Sequence, residues 1–163
     1  MSKAIILMGV SGSGKTTIGQ ALSSALGWPF IDGDDFHTPE NVKKMSLGIA
    51  LSDEDRLHWL ETLSNLLSEN YHRGENLVMA CSALKRVYRD QLRSNHADLT
   101  FVYLEGDIDM IRQRMQAREK HYMKPGMLDS QFQILESPQN ALQINIDRPI
   151  NEIVQEIIDL LGK

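Results

Sequence analysis

Five short apolar runs punctuate the chain: "AIILMG" (4–9), "PFID" (29–32), "NLVMAC" (76–81), "TFVYLE" (100–105) and "ALQIN" (141–145). Each is apolar at successive positions rather than at every second one. That is the pattern of strands covered on both faces. Longer amphipathic stretches lie between them, and this alternation predicts βαβ units around a parallel sheet, an α/β fold. "KTTIGQALSSALG" (15–27) reads as a helix stopped by Gly27. "EDRLHWLETLSNLLSENYHR" (54–73) repeats leucines at helical spacing, and Ser52 with Asp55 forms a capping box before it. "DIDMIRQRMQAR" (107–118) begins acidic and ends basic, as a helix dipole favours. A last helix begins near Pro149 and carries Ile150, Ile153, Val154, Ile157, Ile158 and Leu161 on one stripe. No repeat, linker or low-complexity tract interrupts the sequence, so residues 1–163 read as one domain.

Composition narrows the function classes. A net charge of −5 offers no general attraction to nucleic acid or to an anionic membrane, so any anion site must be local. The single cysteine, Cys81, excludes an intramolecular disulfide and suits a reducing cytoplasm. It falls at a strand end with no histidine spaced to activate it, and reads as core. Trp28 and Trp59 read as core or interface fillers. The opening apolar run is too short to span a membrane and leads straight into glycines, which argues for a strand and against a signal peptide.

Those glycines are the strongest chemical signal. "GVSGSGKT" (9–16) satisfies G-x-x-x-x-G-K-[ST], with a strand before it and a helix after it. Gly12 and Gly14 permit backbone conformations closed to other residues. Successive N–H groups can then turn inward to cradle phosphate, reinforced by the helix N-terminus. The expected binding set for a nucleoside triphosphate, ATP, is Gly9, Val10, Ser11, Gly12, Ser13, Gly14, Lys15, Thr16 and Thr17. Lys15 supplies a full charge for the β- and γ-phosphates, and Thr16 a hydroxyl for Mg²⁺.

"IDGDDFH" (31–37) then crowds Asp32, Asp34 and Asp35 at the end of the second strand. Parallel strands bring their ends to one crevice. Mg²⁺ prefers one or two carboxylates and keeps several waters. Asp32 is therefore the expected metal partner, partly through water. Asp34 is placed to accept a proton from a substrate hydroxyl, if extended geometry persists. Asp35 is expected to cap the following segment. A polar turn is the plainer alternative for Asp34.

With these motifs assembled, the sequence resembles the gluconate kinase family among the shikimate-kinase-like P-loop kinases. "DGDDFH" follows the glycine loop as in that family. "HTPENVKKMSLGIALSDEDRLHWL" (37–60), "CSALKRVYRDQLR" (81–93) and "HYMKPGMLDSQFQILESP" (121–138) resemble its later stretches. Ala50 and His58 stand where proline is frequent in the family, and Tyr122 where phenylalanine is. The resemblance implies a three-layer P-loop kinase fold, a five-stranded parallel sheet with helices on both faces and a mobile lid near 119–128. It also implies a cytoplasmic homodimer, and transfer of the ATP γ-phosphoryl group to the 6-hydroxyl of D-gluconate.

Gluconate carries a carboxylate, which an arginine can bind bidentately. Arg56 resembles the carboxylate-binding arginine of the related kinases; an ion pair with Asp53 or Asp55 is its bland alternative. Ser82, Lys85 and Arg89 follow the third strand and could reach the crevice. Lys85 and Arg89 share a face at i, i+4 spacing, which suits substrate contact or a solvated helix face. Arg114 and Arg118 share a helix face and are expected to contact ATP, with Arg118 stabilising the transferring phosphoryl group. A solvated basic helix end is the alternative for both. His121 is a further substrate candidate. The expected catalytic set is Lys15, Asp34 and Arg118. Rival readings are a kinase for another small acid such as shikimate, and a nucleotide-binding switch. The switch class uses N-K-x-D, which is absent, and D-x-x-G, which occurs only as Asp159–Gly162 at the end of the last helical stripe, far in sequence from the glycine loop.

Overall fold

The computed structural model describes residues 3–93, 99–117 and 125–162. The elements run β1 (Ala4–Met8), α1 (Lys15–Leu26), β2 (Phe30–Asp32), a 3₁₀ turn (Gly33–Phe36), α2 (Pro39–Ser46), α3 (Asp53–His72) and β3 (Leu77–Ala80). They continue with α4 (Arg86–Arg93), β4 (Leu99–Glu105), α5 (Ile108–Ala117), α6 (Pro125–Ile134), β5 (Leu142–Asn145) and α7 (Ile150–Leu161). All five apolar runs became strands, and every pairing is parallel, in the order β2-β3-β1-β4-β5. Every residue of β1 and β3 is buried, which requires cover on both faces. The helices supply it: α1 packs with α7, and α3 with α4.

The strand order places the site. From β1 the chain crosses to β2 at one edge; from β3, the neighbour of β1, it crosses back to β4 on the far side. The β1 and β3 loops therefore part at their C-terminal ends and leave a crevice. The tips of β1 and β2 lie on the same edge of the sheet, separated only by β3, about 10 Å at ordinary strand spacing.

Caps decide several boundaries. The expected box before α3 is present: the Ser52 hydroxyl accepts from the Asp55 amide, and the Asp55 carboxylate accepts from the Ser52 amide. That bond, with Lys44 next in size, holds the Asp55 carboxyl down at about 2. Asp35 is not the expected cap. Asp32 caps the 3₁₀ turn and Thr38 caps α2. Pro125 is the first residue of α6, where its missing N–H costs nothing. Residues 118–124 lie outside the described part, and with them Arg118, His121 and most of the expected lid.

Candidate active site

The glycine loop joins β1 to α1. Gly12 and Gly14 adopt φ of 81° and 93°, the left-handed region that their lack of a side chain permits. At Gly12 a Cβ would also meet the Met115 side chain at 2.8 Å, so α5 packs directly under the loop. α1 differs from α2 and α3 at its start. Its N-cap is Gly14 with no side-chain bond, and its first turn holds no acidic residue. The amides there are left for an anion. Lys15 rests on the loop itself, its Nζ donating to the carbonyls of Gly9 and Val10, each at 3.0 Å. The Ser13 side chain is fully buried beneath the loop and its Oγ has no hydrogen-bond partner among the described residues, so from Ser13 only the backbone faces a ligand.

The acidic cluster meets this loop. Thr16 Oγ1 donates to Asp32 Oδ2 at 2.8 Å. The other Asp32 oxygen accepts from the Asp34 amide at 3.0 Å, closing the 3₁₀ turn. Extended geometry therefore does not persist to Asp34. The turn carries Asp34 into the crevice instead, its Oδ1 3.8 Å from His37 Nε2. One hydroxyl and one carboxylate side by side, next to a phosphate cradle, are the donor set that Mg²⁺ takes when phosphates and water complete its shell. Among the described residues no cluster of three metal-ligating side chains offers an alternative site.

The crevice is small, about 40 Å³, and is lined by Lys15, Asp34, His37, Arg56, Ser82 and Gln131, among others. The structure thus brings together Lys15, Asp34, Arg56 and Ser82 as expected. Arg56 is not an ordinary surface ion pair. Asp53 accepts instead from Lys85 Nζ at 2.9 Å and Tyr88 Oη at 2.5 Å, and Asp55 from Lys44 Nζ at 2.9 Å. These bonds, Tyr88 first and Lys85 next, hold the Asp53 carboxyl below its usual range. Arg56 Nη1 donates to Leu51 O at 2.7 Å and Tyr88 Oη at 2.9 Å, while its guanidinium lies over the Tyr88 ring. A buried cation is therefore held at the crevice wall without a carboxylate partner among the described residues.

His37 was not singled out from sequence, yet it sits at the centre. Its ring stacks on Trp59 with centroids 4.0 Å apart. Trp59 in turn donates its indole N–H to Gly33 O at 2.7 Å, fixing the turn that carries Asp34. Burial, with the Arg56 charge second, lowers the His37 pKa to about 4, so the ring is neutral at physiological pH.

Three expected contacts go elsewhere. Arg89 is buried and donates to the carbonyls of Ala83, Leu84 and Glu136. It borders a separate cavity of about 310 Å³ beside Arg86, Arg93 and Phe101, which holds neither the glycine loop nor Asp34. Its task is local: Ala83 has φ 46°, a strained value for a residue with a Cβ, and Arg89 fixes that turn next to Ser82. Lys85 stands at the start of α4, its carbonyl accepting from the Arg89 amide at 3.2 Å, and its ammonium goes to Asp53. Arg114 donates to Ile146 O at 3.0 Å, beyond β5. Cys81 is fully buried and its thiol is pushed up to about 12, first by burial, which removes it as a nucleophile.

Comparison with known proteins agrees with this geometry. The shikimate kinase family model matches residues 11–161. The thermosensitive gluconokinase of Escherichia coli K12 is 45% identical over 94% of this chain and 84% of its own. A gluconokinase from Sinorhizobium meliloti 1021 superposes with a TM-score of 0.89 at 41% identity, covering 98% of this chain and 91% of that one. A sugar kinase from a Janibacter species gives 0.95 at 36% identity, covering 99% and 95%. A shikimate kinase from Bacteroides thetaiotaomicron, at 22% identity and a TM-score of 0.70, shares the fold. With its glycine loop, acidic turn and buried arginine in their expected places, the chain belongs to the gluconokinase family of shikimate-kinase-like P-loop kinases.

Proposed function

We propose that this protein transfers the γ-phosphoryl group of ATP to the 6-hydroxyl of D-gluconate, giving 6-phosphogluconate. The observation that carries the reading is the crevice itself, where Lys15 and Ser11 of the glycine loop face Asp34 and Arg56. A phosphoryl donor, a hydroxyl acceptor and a carboxylate each find a matching group within one cleft.

The loop amides and the open start of α1 bind the phosphates. Lys15 exchanges the Gly9 and Val10 carbonyls for phosphate oxygens and spreads the charge of the transferring group. Thr16 and Asp32 are the residues that would hold Mg²⁺, which neutralises charge on the β- and γ-phosphates when bound. Arg56 takes the gluconate carboxylate, which orients the far end of the sugar acid toward the loop. Asp34 accepts a hydrogen bond from the attacking hydroxyl and receives its proton as the new P–O bond forms and the bond to ADP breaks. Neutral His37, on its Trp59 support, lines the wall behind Asp34 without adding charge. Arg118 remains the proposed lid-side cation for ATP and His121 a weaker substrate candidate, whereas Arg114, Lys85 and Arg89 are engaged with Ile146 O, Asp53 and backbone carbonyls and are assigned no ligand. The resemblance supports a cytoplasmic homodimer, which sedimentation velocity checks. Among the described residues no helix is long and apolar enough to cross a membrane.

A coupled ADP assay with a panel of acceptors tests the reading. D-gluconate gives the highest kcat/KM, and Asp34→Asn lowers kcat by about 10²–10⁴-fold with little change in nucleotide affinity. Turnover of shikimate or another acid in place of gluconate overturns the substrate assignment.

A further inference from the structure

Gln131 lies on α6, far from the glycine loop in sequence, yet its Oε1 accepts a hydrogen bond from the Ser11 amide at 2.6 Å. The residue is 8% exposed. One of the inward-facing groups of the phosphate cradle is thus occupied by a neutral carboxamide from another element. The crevice it closes is too small for a six-carbon sugar acid; about 40 Å³ holds a few waters at most. On the other side of Gln131 lies a second cavity of about 230 Å³, walled by Ala50, Leu51, Met127 and Ile134. Leu51, Arg56 and Gln131 line both spaces. Leu51 belongs to a small apolar cluster with Met45 and Met127, and Arg56 is fixed by Leu51 O and Tyr88. Of the three shared walls, Gln131 is the one tied to a group that a ligand would claim.

We propose that Gln131 is a displaceable partition: phosphate arriving in the cradle takes the Ser11 amide, releases the carboxamide, and joins the two cavities into one acceptor pocket along Arg56. The exchange is favourable in direction, because an amide bonds an anionic phosphate oxygen more strongly than a neutral carboxamide oxygen. Its consequence is that nucleotide and gluconate bind with positive coupling, since the first ligand does the opening that the second requires. The proposal rests on the gluconate kinase reading for its acceptor half only.

The test is calorimetric titration of a non-hydrolysable ATP analogue with Mg²⁺, and of D-gluconate, singly and together. In the wild type the analogue tightens gluconate binding about tenfold or more. Gln131→Met keeps length and apolar volume but cannot accept from Ser11; it brings that ratio to within twofold of unity and binds the analogue alone at least as tightly as the wild type. Gln131→Ala does the same, and thermal unfolding of both variants separates lost coupling from lost fold. Gln131→Glu places a carboxylate on the Ser11 amide and weakens the analogue about tenfold. Coupling retained in Gln131→Met, or weaker analogue binding by it, overturns the proposal. Should the wild type ignore gluconate, the acceptor assignment falls, while the analogue titrations of Gln131→Met and Gln131→Glu still decide the contact with Ser11.

Discussion

Arg56, at the start of α3, and Arg89, within α4, are both nearly hidden from solvent, 8% and 4% exposed, and both lie close to the end of β3. Their surroundings differ in what they leave undone. Arg89 is enclosed by backbone oxygen: Ala83, Leu84 and Glu136 take its donors, and burial first, with the neighbouring Arg93 and Arg86 charges behind it, pulls its pKa down. Arg56 gives one nitrogen to Leu51 O and Tyr88 Oη and presents the rest of its fork to the crevice. The nearby carboxylates are taken by Lys44 and Lys85. A buried guanidinium whose donors end on carbonyls is part of the scaffold. One held by its edge, with anions diverted from it, is positioned for a ligand.

Substitutions sharpen this contrast. Arg89→Ala strands three carbonyls and frees the Ala83 turn; it costs about 3 kcal/mol of stability, seen as a lowered midpoint in urea, while gluconate KM moves less than threefold. A large rise in KM with unchanged stability would reverse the roles of the two arginines. Arg56→Ala raises gluconate KM about 30-fold, from the loss of a charge-assisted bond worth about 2 kcal/mol, and leaves nucleotide binding within twofold. Ser52→Ala removes the cap of the helix that carries Arg56; it costs about 1 kcal/mol in urea unfolding, with kcat unchanged.

Two smaller effects follow from His37. Its folded pKa of about 4 lies below the model-peptide value of 6.5. The unfolded chain therefore binds the proton first. The stabilising share of His37 is whole above 6.5 and declines as pH falls toward 4. His37→Phe, which keeps a ring against Trp59, flattens the part of the stability–pH curve between 6.5 and 5. The Arg56 charge is the second cause of the depression, so Arg56→Ala raises the His37 pKa without restoring it to 6.5, and Arg89→Ala leaves it in place. Proton titration followed by NMR separates the two variants.

Much of this was legible in the sequence because it is local. The strands announce themselves as runs, the glycine loop as a spaced motif, and the α3 cap as Ser52 and Asp55 three residues apart. The polar α2 was missed, since only Asn41 and Met45 of its eight residues are buried and no apolar stripe marks it. What reached across the chain was not legible either. Gln131 meets Ser11 120 residues away, Tyr88 meets Asp53 at a separation of 35, and Arg89 meets Glu136 at 47. Periodicity cannot see such pairs. Helical spacing does place Lys85 and Arg89 one turn apart, but it does not tell that their side chains go to Asp53 and to the Ala83 carbonyl. The turn at 33–36 delivered Asp34 by a route that a strand-like reading does not contain, though to the expected place.

The Lys15 ammonium lying on the Gly9 and Val10 carbonyls carries one more implication. A cradle that keeps its own cation occupied presents a toll to every visitor: chloride or a lone monoanion must dislodge that contact for a single unit of charge, whereas a polyphosphate chain replaces it several times over. Chloride is therefore expected to compete with ATP far more weakly than pyrophosphate does, which nucleotide titration in the presence of each anion checks.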